Sequence, residues 1–363
     1  MKKHNSKTLG LLSFLAVTFM LFSSCDGVIF DTIRDEVKLS DAKVSGDIQS
    51  VVRYNYDDDE CVFAATGKIY YRSVAEDVVD SKEVGFTEFP KPSGLVYALA
   101  ADSSYLYAVS VIIEEDDDGY NSPTKRNLYC YNGESWKEIW SVPYSRTVTV
   151  LFCTNAPQND HRRAYLRHDS KVYELSGETE PAEMSLVEDN NSTTPTTTAL
   201  TTTPTEGTRS CAYFGGSVYF SSSYAMTTNE TVESDATAIY YADGDNVHYS
   251  MDGSDGPSSD LDCGKIISLG VTADYLLAGT ESGIAHTPLT DNVPNSGNAD
   301  FSTNAESTLS SYYEVPAILV INPALEETGG TIYAASVTSS SNASLNNVGL
   351  WSYYASKGEW NRE

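Results

Sequence analysis

The chain is short of positive charge. Its 363 residues carry 23 Lys+Arg against 51 Asp+Glu, a formal net charge of -28. A general nucleic-acid binder needs a basic footprint to displace counterions from phosphates, and this composition offers none. The same deficit argues against electrostatic docking on anionic lipid. Long apolar runs are missing too. Leu9–Phe22 holds 14 residues, where a membrane-spanning helix needs about 20. No stretch of useful length repeats its apolar residues at helical spacing, which leaves strands as the main building material. None of the 6 cysteines forms a CxxC pair, and no HExxH, GxSxG or P-loop pattern occurs. Zinc-protease, nucleophile-elbow and nucleotide-cradling chemistry therefore have no motif to stand on.

The N-terminus is an address. Lys2, Lys3 and Lys7 form a positive n-region, Leu9–Phe22 an apolar h-region, and Ser23 and Ser24 supply small residues ahead of Cys25. The stretch Leu21-Phe22-Ser23-Ser24-Cys25 resembles the lipobox of a bacterial lipoprotein. The usual leucine position is held by Phe22, with Leu21 one place further back, a departure similar to the relaxed lipoboxes of spirochaetes. The resemblance implies a cleaved signal peptide at 1–24 and a Cys25 that becomes the acylated N-terminus of the mature chain. Several acyl chains suffice for stable attachment, because each buried methylene contributes about 0.8 kcal/mol. The domain would then be soluble but lipid-anchored (palmitate or a similar acyl group) in the cell envelope. It would sit on the extracytoplasmic side, at the periplasmic face or the cell surface. Residues 25–42 read as a tether.

The remainder, 43–363, is a repeat. Each unit has an apolar stretch, a turn, a short aromatic strand ending in small residues, and a second aromatic strand. The clearest copy predicts strands over Leu95–Ala101, Tyr105–Ile112, Asn127–Tyr131 and Trp136–Trp140. Other copies align on Cys61–Thr66, Arg163–Arg167, Val218–Ser222, Tyr275–Thr280 and Ile332–Ser336. Alternation with β-branched and aromatic residues dominates, and 25 tyrosines raise an otherwise modest apolar fraction of 40%. Units of roughly 40–55 residues built from four short strands have the size of propeller blades. The chain thus resembles β-propellers as an architecture, all-β, with six blades expected. Residues 287–311 leave room for a seventh. Two packed sandwiches are the competing all-β arrangement, but they give no reason for regular spacing. Asn191–Thr208 holds 10 threonines in 18 residues and reads as a disordered excursion. Glu114–Asp118, a run of five acids, reads as a solvated hairpin tip.

Candidate chemistry is sparse. Cys61, Cys130, Cys153, Cys211 and Cys263 fall mostly at apolar strand positions and read as core thiols, with one disulfide as the alternative. His161 and His168 flank Arg162, Arg163 and Arg167, a cationic cluster that either binds an anion or offsets nearby acids. Asp243-Gly244-Asp245 and Asp252-Gly253-Ser254-Asp255-Gly256 could ligate calcium, but Asp and Gly are also ordinary hairpin residues and no EF-hand loop is present. Tyr131–Trp136 keeps the Gly and Trp of a sialidase-type box without its Asp. The Gly-Gly pairs precede the strand that they follow in kelch repeats. The propeller resemblance therefore carries over no catalytic residue, no cofactor and no metal ligand. It points to a non-enzymatic module that binds a ligand or partner, such as an envelope protein, a glycan or a host molecule. The alternative is an extracytoplasmic hydrolase or lyase with acidic residues at the propeller mouth. The sharpest consequence of this reading concerns Cys25. Mass spectrometry of the mature N-terminus should find a diacyl or triacyl Cys25, and Cys25→Ser should release the domain from membranes. An unmodified Cys25 in the mature protein overturns the lipoprotein assignment.

Overall fold

Strand-forming residues in alternation produce strands throughout. The computed structural model describes residues 44–363 except 45, 75–84, 117, 185–186, 189–198, 201–207, 215, 229–230, 244–245, 253–265, 282, 291–292, 295–301, 304–312, 322–330, 339–347 and 355–358. Among the described residues the only helical element is a single 3-10 turn, Asn159–His161. The strands form six sheets that follow one another along the chain, antiparallel throughout except where Val187–Glu188 pairs parallel with Asn246–Val247.

The first sheet contains Val51–Tyr56, Asp59–Ala65, Ile69–Ser73 and Thr87–Phe89. The second contains Leu95–Ala101, Leu106–Glu115, Asn121–Tyr131 and Trp136–Pro143. The third contains Thr149–Cys153, Ala164–His168, Lys171–Leu175 and Ala182–Glu183. Thr208–Phe214, Ser217–Thr228, Thr231–Asp243 and Asn246–Asp252 make the body of the fourth, joined by the two-residue strands Val187–Glu188 and Ala199–Leu200. The fifth has Ile266–Val271, Tyr275–Thr280 and Gly283–Thr290, with Val293–Pro294 and Ser302–Thr303 pairing on the last of these. The sixth has Tyr313–Val320, Thr331–Thr338, Gly349–Tyr354 and Glu359–Arg362.

The sheets are arranged as a β-propeller. Each first strand lies beside the first strand of the next sheet, and that of the sixth lies beside that of the first. The faces between sheets are apolar. Phe63 and Phe89 meet Leu99, Leu106 and Leu128 between the first two sheets, in a cluster that continues to Leu151 and Leu166 of the third. Phe152 and Tyr165 meet Phe220 between the third and fourth. Phe214 and Tyr219 meet Leu269 and Leu276 between the fourth and fifth. Leu277 and Ile284 meet Ile318 and Trp351 between the fifth and sixth. Leu319, Tyr333 and Leu350 then meet Val51, Val62 and Ala64 of the first sheet. A lone sheet would leave both faces wet, so each is stable only with two neighbours.

Most polar groups inside this stack are satisfied locally. Ser110, Ser221, Thr280 and Ser336 of the second strands are all fully buried, and of these the Ser110 hydroxyl has no hydrogen-bond partner among the described residues. The Ser221 hydroxyl lies 2.6 Å from that of Ser210, and Thr280 donates to the Gly283 carbonyl at 3.0 Å. Tyr107 clasps the second sheet to the third. Its hydroxyl donates to Asp102 and accepts the Gly177 N–H, both at 2.7 Å.

Several boundaries differ from expectation. The second hairpin is longer than predicted: Glu114 and Glu115 extend its first strand, paired with Ser122 and Asn121. Only Asp116 onward turns, because the Asp116 carboxylate accepts the N–H groups of Asp118 and Tyr120. The described parts of 287–311 add strands to the fifth sheet and form no further sheet. Of the threonine-rich segment, Ala199–Leu200 pairs with Met226–Thr227 and Thr208 begins a strand. The rest of that segment lies outside the described residues, as do 1–24 and 25–42.

Among the described residues no strand is exchanged between the first and sixth sheets, and side chains hold that seam. Arg72, on the third strand of the first sheet, pairs with Glu363 at 2.8 Å, and both are buried. Arg72 also donates to the Tyr333 hydroxyl and stacks over the Phe86 and Tyr333 rings. Arg53 donates to the carbonyls of Val320 and Ile321, each at 2.6 Å. Glu363→Ala leaves the Arg72 guanidinium buried without its anion, and removing one member of such a pair costs about 3–5 kcal/mol. Urea denaturation should show that loss as a single shifted transition. A loss below about 1 kcal/mol would show that the apolar cluster holds the seam alone.

Candidate functional site

The six first strands surround a cavity of about 310 Å3. Every sheet contributes to its wall, with Ser50 and Val51 from the first, Ala98 and Leu99 from the second, and Thr149–Cys153 from the third. Arg209–Cys211, Ile267–Leu269 and Glu314–Ile318 complete it. A first strand has a hydrogen-bonded neighbour on one edge only, so the other edge faces the channel with bare backbone groups. The protein closes much of this edge internally. The Leu99 N–H donates to Ser50 Oγ at 2.6 Å, and Ser268 Oγ donates to the Val315 carbonyl at 2.7 Å.

One end of the cavity is plugged. After Cys153 the chain leaves the third sheet through 154–163 and reaches the first. Asn155 takes a left-handed backbone (φ 49°), which asparagine tolerates better than most residues. Its side-chain amide then imitates a neighbouring strand: Oδ1 accepts the Arg53 N–H and Nδ2 donates to the Val51 carbonyl, both at 3.1 Å. Arg162 donates to Asn55 at 3.1 Å and to Glu60 at 3.0 Å. Glu60 also holds Arg53 at 2.7 Å. Burial lowers the Arg53 pKa to about 10 even so. His161 stacks on Tyr213 of the fourth sheet, ring centroids 3.9 Å apart. The opposite end is open. Gln49, Val148 and Arg209, at or just before the starts of three first strands, line the cavity and are exposed.

The open end carries the cavity's charge. Arg209 comes from the fourth sheet and Glu314 from the sixth. Burial raises the Glu314 pKa, the Arg209 guanidinium opposes that rise, and Glu281 in the fifth sheet's hairpin turn adds to it. Neither Arg209 nor Glu314 makes a side-chain hydrogen bond or ion pair among the described residues. Nearby, the Tyr97 hydroxyl is buried beside Thr149 without reaching hydrogen-bonding geometry, and burial pushes its pKa to about 12. Thr149 Oγ1 lies 3.0 Å from Nδ1 of His168, whose ring meets Trp140 edge to face. Burial lowers the His168 pKa, and Arg126 lowers it further.

The residues singled out in the sequence fare unequally. Cys25 lies outside the described residues, as do Cys263, 244–245 and 253–256. Cys61, Cys130, Cys153 and Cys211 are buried free thiols, and desolvation raises the pKa of each. The cationic cluster is dispersed. Arg162 belongs to the plug, Arg167 is buried within the third sheet, and exposed Arg163 donates to the Asp160 carbonyl. Among the described residues no group of three or more His, Cys, Asp or Glu side chains is placed to hold a metal ion. Sequence reasoning missed Arg209 and Glu314. Their only local signal is a lone charge in the apolar run ahead of each aromatic strand, in TRSCAYF and YEVPAILV.

No protein-family model matches this chain, and no curated relative does. Among solved structures it is similar to the N-terminal domain of Nup159, with 12% identity, a TM-score of 0.39, and coverage of 81% of this chain and 74% of that one. It is also similar to a chain in the S. cerevisiae complex of Dbp5 bound to Nup159, Gle1, IP6 and ADP, with 12% identity, a TM-score of 0.37 and the same coverages. At that distance the likeness transfers no ligand or partner.

The Glu314 environment has a measurable consequence. A carboxyl whose folded pKa is raised is favoured in its neutral form by the fold, so its stabilising contribution is complete below the usual carboxylate pKa and lost as pH rises through the raised value. Glu314→Gln should therefore raise the melting temperature at pH 7, and the gain should vanish near pH 4. Thermal scans across that range check it. An equal effect at both pH values would mean that ionisation is not involved.

Proposed function

We propose that the chain is a lipid-anchored, extracytoplasmic β-propeller that binds a small ligand at the open end of its channel. The cavity carries this reading: it is ringed by all six first strands, blocked below by Asn155 and open above at Arg209, Gln49 and Val148. A pocket with few convergent charged groups on a rigid frame is the usual form of a binding site. Its volume lies at the lower end of the usual range of about 300–1000 Å3, which favours a small molecule.

One blade per sheet gives a count of six, supported by the closed sequence of neighbouring first strands. The chain belongs to the bacterial cell envelope in this reading, with Cys25 acylated after removal of 1–24 and residues 25–42 as the tether. Binding without chemistry is favoured because Glu314 is the one carboxylate among the described residues that line the cavity, so the wall lacks the second carboxylate that an acid–base pair would need.

Val148→Trp tests the site. Val148 is half exposed at the mouth, so a larger side chain there can obstruct the opening without entering the core. A metabolite mixture that raises the melting temperature of the unaltered protein should have no effect on this variant, whose own melting temperature stays unchanged. Equal shifts in both proteins would place binding elsewhere.

A further inference from the structure

The mouth of the cavity holds two opposite charges that make no side-chain hydrogen bond or ion pair among the described residues. Arg209 rises from the first strand of the fourth sheet and Glu314 from that of the sixth, with Ile267–Leu269 of the fifth sheet on the wall between them. The two side chains influence each other electrostatically but share no ion pair. A ligand carrying only negative charge meets Glu314, and one carrying only positive charge meets Arg209. Each would leave one charge uncompensated in a partly desolvated place, which is costly.

Below the mouth most side-chain hydrogen-bonding groups of the wall are taken, the Tyr97 hydroxyl being the exception. Ser50 Oγ accepts the Leu99 N–H, Ser210 Oγ pairs with Ser221 Oγ, and Ser268 Oγ donates to the Val315 carbonyl. Asn155 is spent on Val51 and Arg53. A ligand dense in hydroxyls, such as a neutral sugar, would lose water there and recover few hydrogen bonds. An apolar body loses nothing of that kind.

From the free charge pair, the mostly engaged side chains of the wall and the small volume together, we propose that the cavity binds a free α-amino acid with an apolar side chain. Its α-carboxylate sits on Arg209, its α-ammonium on Glu314, and its side chain points toward the plug. A guanidinium suits a carboxylate because it can donate two parallel hydrogen bonds, and the carboxylate of Glu314 accepts from an ammonium. This assignment rests on the ligand-binding reading above and narrows it to one chemical class. It also makes binding sensitive to acid. Protonating Glu314, which faces Arg209 and Glu281, removes the anion that the ammonium needs.

Isothermal titration of the full chain with L-leucine, N-acetyl-L-leucine and L-leucinamide separates the two charges. L-leucine should bind at least tenfold more tightly than either analogue. Arg209→Gln should abolish the preference over leucinamide while keeping that over acetyl-leucine. Glu314→Gln should do the reverse. Arg209 is exposed and Gln preserves the shape of Glu314, so both variants should fold, and unchanged melting at pH 4 verifies it. Equal affinity for all three compounds, or selectivity that survives both substitutions, overturns the proposal. If L-leucine does not bind but another metabolite does, and Val148→Trp blocks it, the ligand-binding reading stands and the amino-acid assignment falls. If no compound binds at the mouth, both fall.

Discussion

The structure depends on the seam between its first and last sheets. Among the described residues each sheet is made from one contiguous stretch of chain, and no shared strand locks the last to the first. What joins them is an apolar cluster around Val62, Leu319 and Leu350, and two buried arginines of the first sheet that both reach the sixth. Arg72 reaches a carboxylate and Arg53 reaches backbone carbonyls. Charged hydrogen bonds of this kind demand defined geometry in a way that apolar contact does not. The cluster supplies most of the driving force, and the arginines fix the register in which the two sheets meet.

That division of labour explains which parts of the fold were legible in the sequence. The second strands were legible because their aromatic and small residues alternate and recur. Cys61–Thr66 and Tyr275–Thr280 fall almost residue for residue on observed strands. Hairpin length was less legible, because Glu114 and Glu115 look like loop residues until their cross-strand partners are known. The first strands were seldom legible. Their residues serve two neighbouring sheets as well as a channel, so Val51–Tyr56 and Thr208–Phe214 show no single pattern. The candidate site lies on those strands, and its charges come from segments more than a hundred residues apart. Nothing local marks Arg209 and Glu314 as companions.

The arginines also show how an acidic protein distributes its few cations. Arg53, Arg72 and Arg162 lie inside the ring, each within reach of a glutamate. Surface acids such as those of Asp57–Asp59 and Glu114–Asp116 face water without them. The sequence cluster around Arg162 left two readings open, an anion site or an offset to nearby acids, and Arg162 holds Glu60. In the fold one member braces the plug, one is buried in a sheet and one faces solvent.

The asparagine plug makes the central channel a blind pit. A tunnel would let water leave ahead of an arriving molecule, or let an occupant leave by a second door. Here arrival and departure share one opening, and displaced water must pass the incoming molecule on its way out. Exchange is then governed by the width of that opening, set by Val148, Gln49 and Arg209, more than by the depth of the pit. Such a vessel suits holding something for a time better than passing it along.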